Sequence, residues 1–434
     1  MIHILIRLLL ALLLLVASIV KGQETWTLQD CLDYTLQNHP SIKQTAIAAN
    51  SSEWELKQSK ANLLPTVNAD INHSYSLGST INPNTNVREP LNVQYDQLTM
   101  TAGIDLFDWQ NYLNIKLQKT RRGSFVYRLE ATKNQIILGV VQNFYAYQNA
   151  KAWREVLESQ LSGIDDQISR TEKEVEIGIR PKSDIYDIKA NMGNIQEQYI
   201  EAEKQVKSSK LNLLQSMNLQ DKGVEFDLKD DALALLNFST EDLAHIVEKQ
   251  PQIQTIQKEI EAAEQLVRLK KAGALPKLTG VYQWSTFYSK ILNSDEATPF
   301  TDQLDINKNQ YIGIGLQIPI FNKLQVKTQT ELAINDKEYQ VLILEKEKQA
   351  TWTAIQQIVN AYEKSVEKYE YIKGNFINQK LSFERSQEKF NEGLIDAYTF
   401  FMIRNNWLNA NYNIIQSKNE VLMQQALLKV FWVK

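Results

Sequence analysis

The residues of this chain that could carry acid, base, nucleophilic or metal chemistry are few and scattered. Beyond His3, histidines stand at His39, His73 and His245, with none of the close spacing that metal ligands require. They read as structural or surface residues. Cys31 is the single cysteine, so it makes no intramolecular disulfide, and Leu28-Gln29-Asp30 before it lacks the small residues that precede a lipid-modified cysteine. It is expected to be a buried helix residue. No glycine-rich phosphate loop and no nucleophile elbow occur. The many carboxylates lie among Lys and Gln at helical spacing, the pattern of a solvated face and not of an acid/base pair. The reading is of no enzyme, with no cofactor and no metal.

Function must then lie in the elements themselves. With 434 residues, 43% apolar and 23% charged, the chain has the composition of a folded protein. Its start is an export leader, residues 1–22: Arg7 is the positive end, Leu8 to Val20 the apolar stretch, and Val20-Lys21-Gly22 the cleavage site. That stretch is about 13 residues, short of the roughly 20 that a spanning helix needs. No later segment approaches such a helix, so a membrane crossing after export would be made by β-strands in a closed barrel. Loss of Arg7 and Lys21 with the leader takes the net charge from −4 to about −6, which argues against a nucleic-acid partner.

Proline disrupts helix interiors, and none lies between Pro90 and Pro181, between Pro181 and Pro251, or after Pro319. These gaps, rich in Gln, Lys, Glu, Leu and Ala, can be continuous helices. A duplication is also visible. Pro40 matches Pro251, Ala61 matches Ala272, and Leu64-Pro65 matches Leu275-Pro276, all at an offset of 211. Leu106-Phe107 and Ile320-Phe321 follow at 214, and Gly178-Ile179 and Gly393-Leu394 at 215. Residues 23–220 and 239–434 are therefore expected to be two structural repeats joined by a linker at 221–238. Each runs through a short helix, a helix ending in Leu-Pro, two strands, a very long helix, a glycine turn and a return helix.

The strands are expected at about 66–78 and 92–107, and again at about 277–289 and 309–320. In the first, Val67, Ala69, Ile71, Tyr75 and Leu77 alternate with Asn68, Asp70, Asn72, Ser74 and Ser76; in the second, Leu98, Met100, Ala102, Ile104 and Leu106 alternate with Thr99, Thr101, Gly103 and Asp105. Leu278, Tyr282, Trp284 and Tyr288 share one parity in the third. In the fourth, Ile312 to Ile320 oppose Tyr311, Gly313, Gly315 and Gln317. Loops at Ser79 to Pro90 and Ser289 to Asn309 join the pairs. A soluble sheet with one wet face gives the same alternation. Strand length, the export leader and aromatics such as Tyr75, Tyr95, Trp284 and Tyr288, placed to form interfacial girdles, favour a barrel. Four strands cannot close one. Two copies would leave room only for side chains, whereas three give twelve strands and a pore.

From about Asn322 to Asn391 only Gly374 interrupts, and roughly 70 residues at 1.5 Å each span on the order of 100 Å. Ile355, Tyr362, Tyr369, Phe376, Phe383 and Phe390 recur every seven residues, the period of supercoiled helices. Val140, Tyr147, Leu161, Ile168 and Val175 keep that period in the first half, interrupted by Arg154. A periplasmic coiled-coil scaffold would explain the helices but not the strand pairs.

The leader, the duplicated halves, Leu-Pro before each first strand, an apolar-Phe pair after each second strand and a glycine turn between long helices together resemble the TolC-type outer-membrane efflux family, over essentially the whole mature chain. The fold so implied is mainly α with membrane β. Two transmembrane strands and long coiled-coil helices per half would assemble as a homotrimer, giving a 12-stranded β-barrel in outer-membrane lipid continuous with an α-helical barrel. The implied role is the passive exit duct of a tripartite efflux system, in the outer membrane of a Gram-negative bacterium and reaching into the periplasm. Its partners would be a periplasmic adaptor (membrane fusion) protein and an inner-membrane transporter. The exit duct of a type I protein secretion system shares this design.

The resemblance also assigns roles to the glycine turns, near 177–184 and 392–399. Gly178, Ile179, Arg180 and Ser183, with Gly393, Leu394 and Ile395, would be the tips that dock on the adaptor. Family gates carry acidic residues six and nine positions after the tip glycine. In the first repeat these are Asp184 and Asp187, and the second departs with Thr399 and Met402. Capping of the return helix by Ser183 or Asp184 is the alternative.

Overall fold

The computed structural model describes residues 25–82, 85–221, 223–227, 243–292 and 298–432. The expected leader and residues 222 and 228–238 of the expected linker lie outside them. The described chain divides into two compact units. One comprises residues up to 46, 128–253 and 347 onward; the other comprises 47–127 and 254–346.

The second unit holds an antiparallel sheet of β2 (Thr66–Ser76), β5 (Val93–Phe107), β7 (Lys277–Ile291) and β8 (Asn309–Gln317), in the order β2-β5-β7-β8. Residues directly paired across strands share a face. The register puts Val67, Ala102, Tyr282 and Ile312 in one row, and Ala69, Met100, Trp284 and Gln310 in the next. Asn68, Thr101, Gln283 and Tyr311 form a row of the opposite parity. The alternation visible in each strand is thus aligned across all four, so one face is apolar and the other polar. Among the described residues most of this apolar face has no cover, with Ile71 79% exposed and Ile312 78%, whereas Thr286 near its margin is buried against the helix Phe300–Ile306. Among the described residues both outer strands, β2 and β8, pair on one side only.

Several strand details differ from expectation. β2 stops at Ser76, because Gly78 turns the chain with a φ of +106°, so Leu77 is not in the sheet. β8 ends at Gln317, since Pro319 has no N–H to offer the ladder. Tyr95 pairs with Ser74 and Ser289 and so belongs to the polar face, stacked on Phe287 at 5.5 Å, away from the face of Tyr75, Trp284 and Tyr288. The loop at Ser79 to Pro90 contains a small hairpin of β3 (Ser79–Ile81) and β4 (Arg88–Pro90). That at Ser289 to Asn309 contains a short helix, Phe300–Ile306, lying against the stretch of β7 that β8 does not reach. Thr286 Oγ1 donates to Leu304 O at 2.7 Å, Gln303 bridges both backbone groups of Ser289 at 3.0 Å, and Asn307 donates to Phe287 O at 2.8 Å. These side chains stand in for a neighbouring strand.

In chain order the helices are α1 (Leu28–Asn38), α2 (Pro40–Ala61), α3 (Trp109–Leu161), α4 (Ile164–Glu176), α5 (Ser183–Met217), α6 (Leu243–Lys249), α7 (Pro251–Ala272), α8 (Phe300–Ile306), α9 (Gln325–Asn391) and α10 (Ala397–Trp432). α2 and α7 have the same 22-residue length and start 211 positions apart, as the matched prolines indicated. Thr27 opens α1 through a capping box with Asp30, and Cys31 is buried behind it with Phe144, Leu213, Met217 and Phe226. Burial, with Asp30 adding to it, pushes its thiol pKa up to about 12, so the group stays a neutral thiol. β1 (Thr25–Trp26) pairs in parallel with β6 (Glu225–Phe226), which tucks the described start of the expected linker against this core.

α9 runs unbroken for 67 residues, and every member of its seven-residue row is buried or half-buried. It packs antiparallel to α10: Phe383 stacks on Trp407 at 4.5 Å, and Phe390 on Phe400 at 4.5 Å. The first repeat differs. Its inbound helix, expected to be continuous, breaks at Ser162-Gly163 between α3 and α4. Two weak helix formers in succession make the local preference low. Gly374, although followed by Asn375, does not break α9, so local preference alone does not decide the break.

Candidate functional site

The glycine turns lie in the first unit, at the ends of α4 and α9. Both end their helix in the same way. Gly178 and Gly393 take the left-handed conformation, with φ of +79° and +72°, where a side chain would be strained. The next residue's N–H reaches back to a carbonyl five positions earlier, Ile179 to Glu174 and Leu394 to Lys389, each at 2.9 Å. This closure satisfies carbonyls that a helix end leaves open. It also turns an apolar side chain outward on each tip: Ile179 is 65% exposed and Leu394 68%.

Beyond the glycines the turns diverge. Arg180, expected among the docking residues, is turned inward, and its side chain is 4% exposed. Its Nε donates to Glu174 Oε2 at 2.6 Å, its Nη1 to Asp184 Oδ2 at 3.2 Å, and its Nη2 to the carbonyl of Phe390. The guanidinium also lies 3.9 Å from the centre of the Phe390 ring. Two carboxylates, a helix-end carbonyl and an aromatic face thus surround one cation, a set that a planar guanidinium suits. Arg170 takes the other oxygen of Glu174 at 2.9 Å. Burial acts to raise the pKa of Glu174, but hydrogen bonds from Arg170 and Arg180 outweigh it and hold the carboxyl below its usual range.

Asp184, expected at an acidic constriction, is buried against Arg180, so its charge is matched inside the first repeat. Asp187 is half-buried, and Ser183 is exposed. Neither Ser183 nor Asp184 caps the return helix. Lys182 occupies the capping position of α5 with no side-chain bond, since Asp184 is committed to Arg180. In the second tip the cap is present: Asp396 Oδ1 accepts from the Thr399 N–H at 2.7 Å, and hydrogen bonding from the Thr399 side chain, with that backbone bond, keeps the Asp396 carboxyl ionised to lower pH than usual. Ile395 is half-buried against Leu157, Ile188 and Phe400.

A second arginine crosses in the opposite direction. Arg404 of α10 donates to the carbonyl of Gln160 at 2.9 Å, next to the end of α3. Burial pulls its pKa down to about 10, so it is a cation at neutral pH and suits a helix C-terminus. Each repeat therefore supplies an arginine that closes the other's inbound helix. Asn191 with Asn405, and Asn149 with Asn419, add side-chain bonds between repeats at 3.3 and 2.7 Å. Sequence reasoning missed Arg404 and Asp396. Asp396 carried a signal, an Asp three residues before Thr399 at a helix start, whereas Arg404 carried none.

Among the described residues no group of three His, Cys, Asp or Glu side chains is placed to hold a metal ion. His39, His73 and His245 lie between α1 and α2, in β2 and in α6. No described helix is long and apolar enough to cross a membrane.

The sequence pattern of one family fits both halves of the chain. The description of that family is "outer membrane efflux protein", and its sequence model matches residues 31–219 and 244–432. The chain belongs to the outer membrane efflux protein family. No curated protein matches it closely in sequence. Among solved structures, the Campylobacter jejuni CmeC outer membrane channel is 17% identical with a TM-score of 0.78, over 93% of this chain and 85% of that one. The Vibrio cholerae outer membrane protein VceC is 14% identical at 0.77, over 93% and 95%. The open state of the Neisseria gonorrhoeae MtrE outer membrane channel is 14% identical at 0.75, over 93% and 88%. These likenesses establish the fold. As an outer membrane efflux protein the chain belongs in the outer membrane of a Gram-negative bacterium and serves as an efflux duct; the family is one of channels, not of enzymes.

Proposed function

We propose that three copies of this outer membrane efflux protein join their four-stranded sheets into a twelve-stranded barrel, continued by an α-helical barrel. The assembly is the passive exit duct of a tripartite efflux system. One observation carries the reading: among the described residues, the sheet has two unpaired edges and one face with a broad, exposed apolar band. Free edges are not tolerated in lipid, and closure by copies of the same chain removes them. The apolar face then meets lipid and the polar face lines the duct. Along β7 it runs from Leu278 to Thr286, nine residues of about 3.3 Å, close to the roughly 25 Å apolar band of outer-membrane barrels once strand tilt is allowed for. His73, Asp96, Tyr288 and Lys290 follow on the same face at its outer margin, where polar groups belong.

At the inner end the tips dock on a periplasmic adaptor through the exposed surface of Gly178, Ile179, Ser183, Gly393 and Leu394, with Ile395 supporting it, and the adaptor connects the duct to an inner-membrane transporter. Arg180 holds the first tip's shape. Asp187 supplies the acidic charge of the constriction, and Asp184 adds to it when Arg180 releases it. Single-channel current from purified protein in planar bilayers tests the duct, and a water-soluble monomer that gives no conductance sinks it. Replacement of Asp184 and Asp187 by alanine tests the constriction; unchanged conductance and cation block would remove it.

A further inference from the structure

Among the described residues the polar face carries little charge for a duct wall, and the one carboxylate on it without a facing cation sits in a defined row. The register places Asp70, Thr99, Ser285 and Asn309 side by side across all four strands. Of the other acidic or basic residues on this face, Asp105 and Lys277 lie toward its inner end and form an ion pair. Lys277 Nζ is 3.0 Å from Asp105 and 3.7 Å from Asp108. His73, Asp96 and Lys290 belong to the opposite face. The remaining partners of the polar rows are Asn, Gln, Ser, Thr and Gly, with Val, Phe, Ile and Tyr between them. Asp70 is exposed, and its neighbours in register, Thr99 and Ser285, bring no compensating charge.

We infer that Asp70 sets the charge selectivity of the barrel, as three carboxylates at one level of the duct that favour cations over anions. The inference rests on the trimeric barrel proposed above, which turns this face inward. A charge on a duct wall acts over about one Debye length, roughly 30 Å at 0.01 M salt and about 3 Å at 1 M. In dilute salt the ring therefore reaches the whole cross-section, whereas in strong salt its field ends near the wall. The charges raise the local cation concentration without binding any ion tightly.

Reversal potentials of the purified protein in planar bilayers, under a KCl gradient, provide the test. Asp70→Asn is expected to lower the potassium-to-chloride permeability ratio about twofold or more in dilute salt, and to leave it unchanged near 1 M. Thr99→Lys, which sets a cation beside Asp70 on the same face, should produce the same change if Asp70→Asn assembles poorly. Met100→Gln, one residue away on the other face, should not. Asp70→Cys adds a chemical rescue, since the native Cys31 is buried. A negatively charged thiosulfonate should restore the ratio, and a positively charged one should push it toward chloride. An Asp70→Asn channel that conducts with the parent's ratio in dilute salt overturns the assignment and leaves the barrel standing. A parent protein that does not conduct, with the thiol introduced by Asp70→Cys equally reactive in detergent and in sealed bilayers, overturns the barrel reading and the inference with it.

Discussion

The two hairpin tips share one backbone and use it differently. Both end on a left-handed glycine with the same backward hydrogen bond, and both expose an apolar residue directly after it. The first then folds a cation into its interior, where Arg180 meets Glu174, Asp184 and the end of α9. The second is simpler: Asp396 accepts from the Thr399 N–H at the start of α10, Asn391 accepts from Arg170 of the first repeat, and among the described residues the tip holds no buried ion pair. Duplication thus preserved the turn, which depends on a few local residues, while the side chains diverged. The first tip became the fastener for both, and the second became the simpler end that it fastens. An acidic residue at the same spacing from the glycine therefore need not do the same work in both repeats.

Removal of the fastener is the harshest way to break this contrast. Arg180→Ala leaves two carboxylates without their cation and the Phe390 carbonyl without its donor, and breaking a buried pair from one side costs about 3–5 kcal/mol. Amide hydrogen exchange should quicken through both turns, including residues near Phe390 that lie 210 positions away in sequence. Arg180→Lys should recover only part of the protection, because an ammonium cannot reach three acceptors in one plane. Exchange that rises only around 174–184 would mean that the two tips are not fastened together.

Acid offers a graded version. Glu174 has a depressed pKa, so it contributes stability that is present above the carboxyl's ordinary value and is lost as pH falls through its lower folded value. Between about pH 5 and pH 3, which brackets the ordinary Glu value of about 4.3, exchange at the first tip should rise. In Glu174→Gln the Arg180-linked part of this rise should vanish. The depressed Asp396 gives the second tip a change of the same sign, confined to the start of α10.

How much of this was legible in the sequence depended on range. Strand parity, the matched prolines and the tip glycines are each decided within a few residues, and all were visible. The expectation that groups Tyr95 with Tyr75, Trp284 and Tyr288 misjudges its face, although its odd number beside Thr99 and Thr101 carried the answer. Arg180 was not legible, because its burial is decided by Phe390 in the other repeat and by a turn that brings Glu174 and Asp184 to one side. The break at Ser162-Gly163 was written in weak helix formers, yet Gly374 is tolerated in α9. At the break a packing partner takes up the freed helix end, since Arg404 bonds the carbonyl of Gln160. The short α8 is held by side chains that imitate a strand, and seven residues are too few to show a helical period.

On the second tip, Asp396→Ala should be milder than Arg180→Ala. Loss of a helix cap costs about 1 kcal/mol, within a range of about 0.5–2, and Asp396→Asn should keep most of it because the amide oxygen can still accept from Thr399. The effect should stay within the first turn of α10, read as faster exchange near Thr399 and Phe400. Spread of that effect to Glu174 and Arg180 would mean that the second tip also holds the first, and the division of labour would not stand.

The smallest expected difference is the sharpest check on the shared part of the design. Gly178 and Gly393 have similar positive φ, and open space surrounds the position where a Cβ would stand at each. An alanine therefore meets no clash at either site and suffers only the strain of the left-handed conformation, about 1 kcal/mol. Gly178→Ala and Gly393→Ala should accordingly loosen their own tips to the same extent, within about 0.5 kcal/mol of each other when measured by exchange. In an Arg180→Ala background the two costs should stay equal, since the glycine's role is confined to the backbone. Should Gly178→Ala prove much the costlier with Arg180 present and equal without it, the first glycine would be placing Arg180 as well as turning the chain, and the two tips would differ at the backbone too.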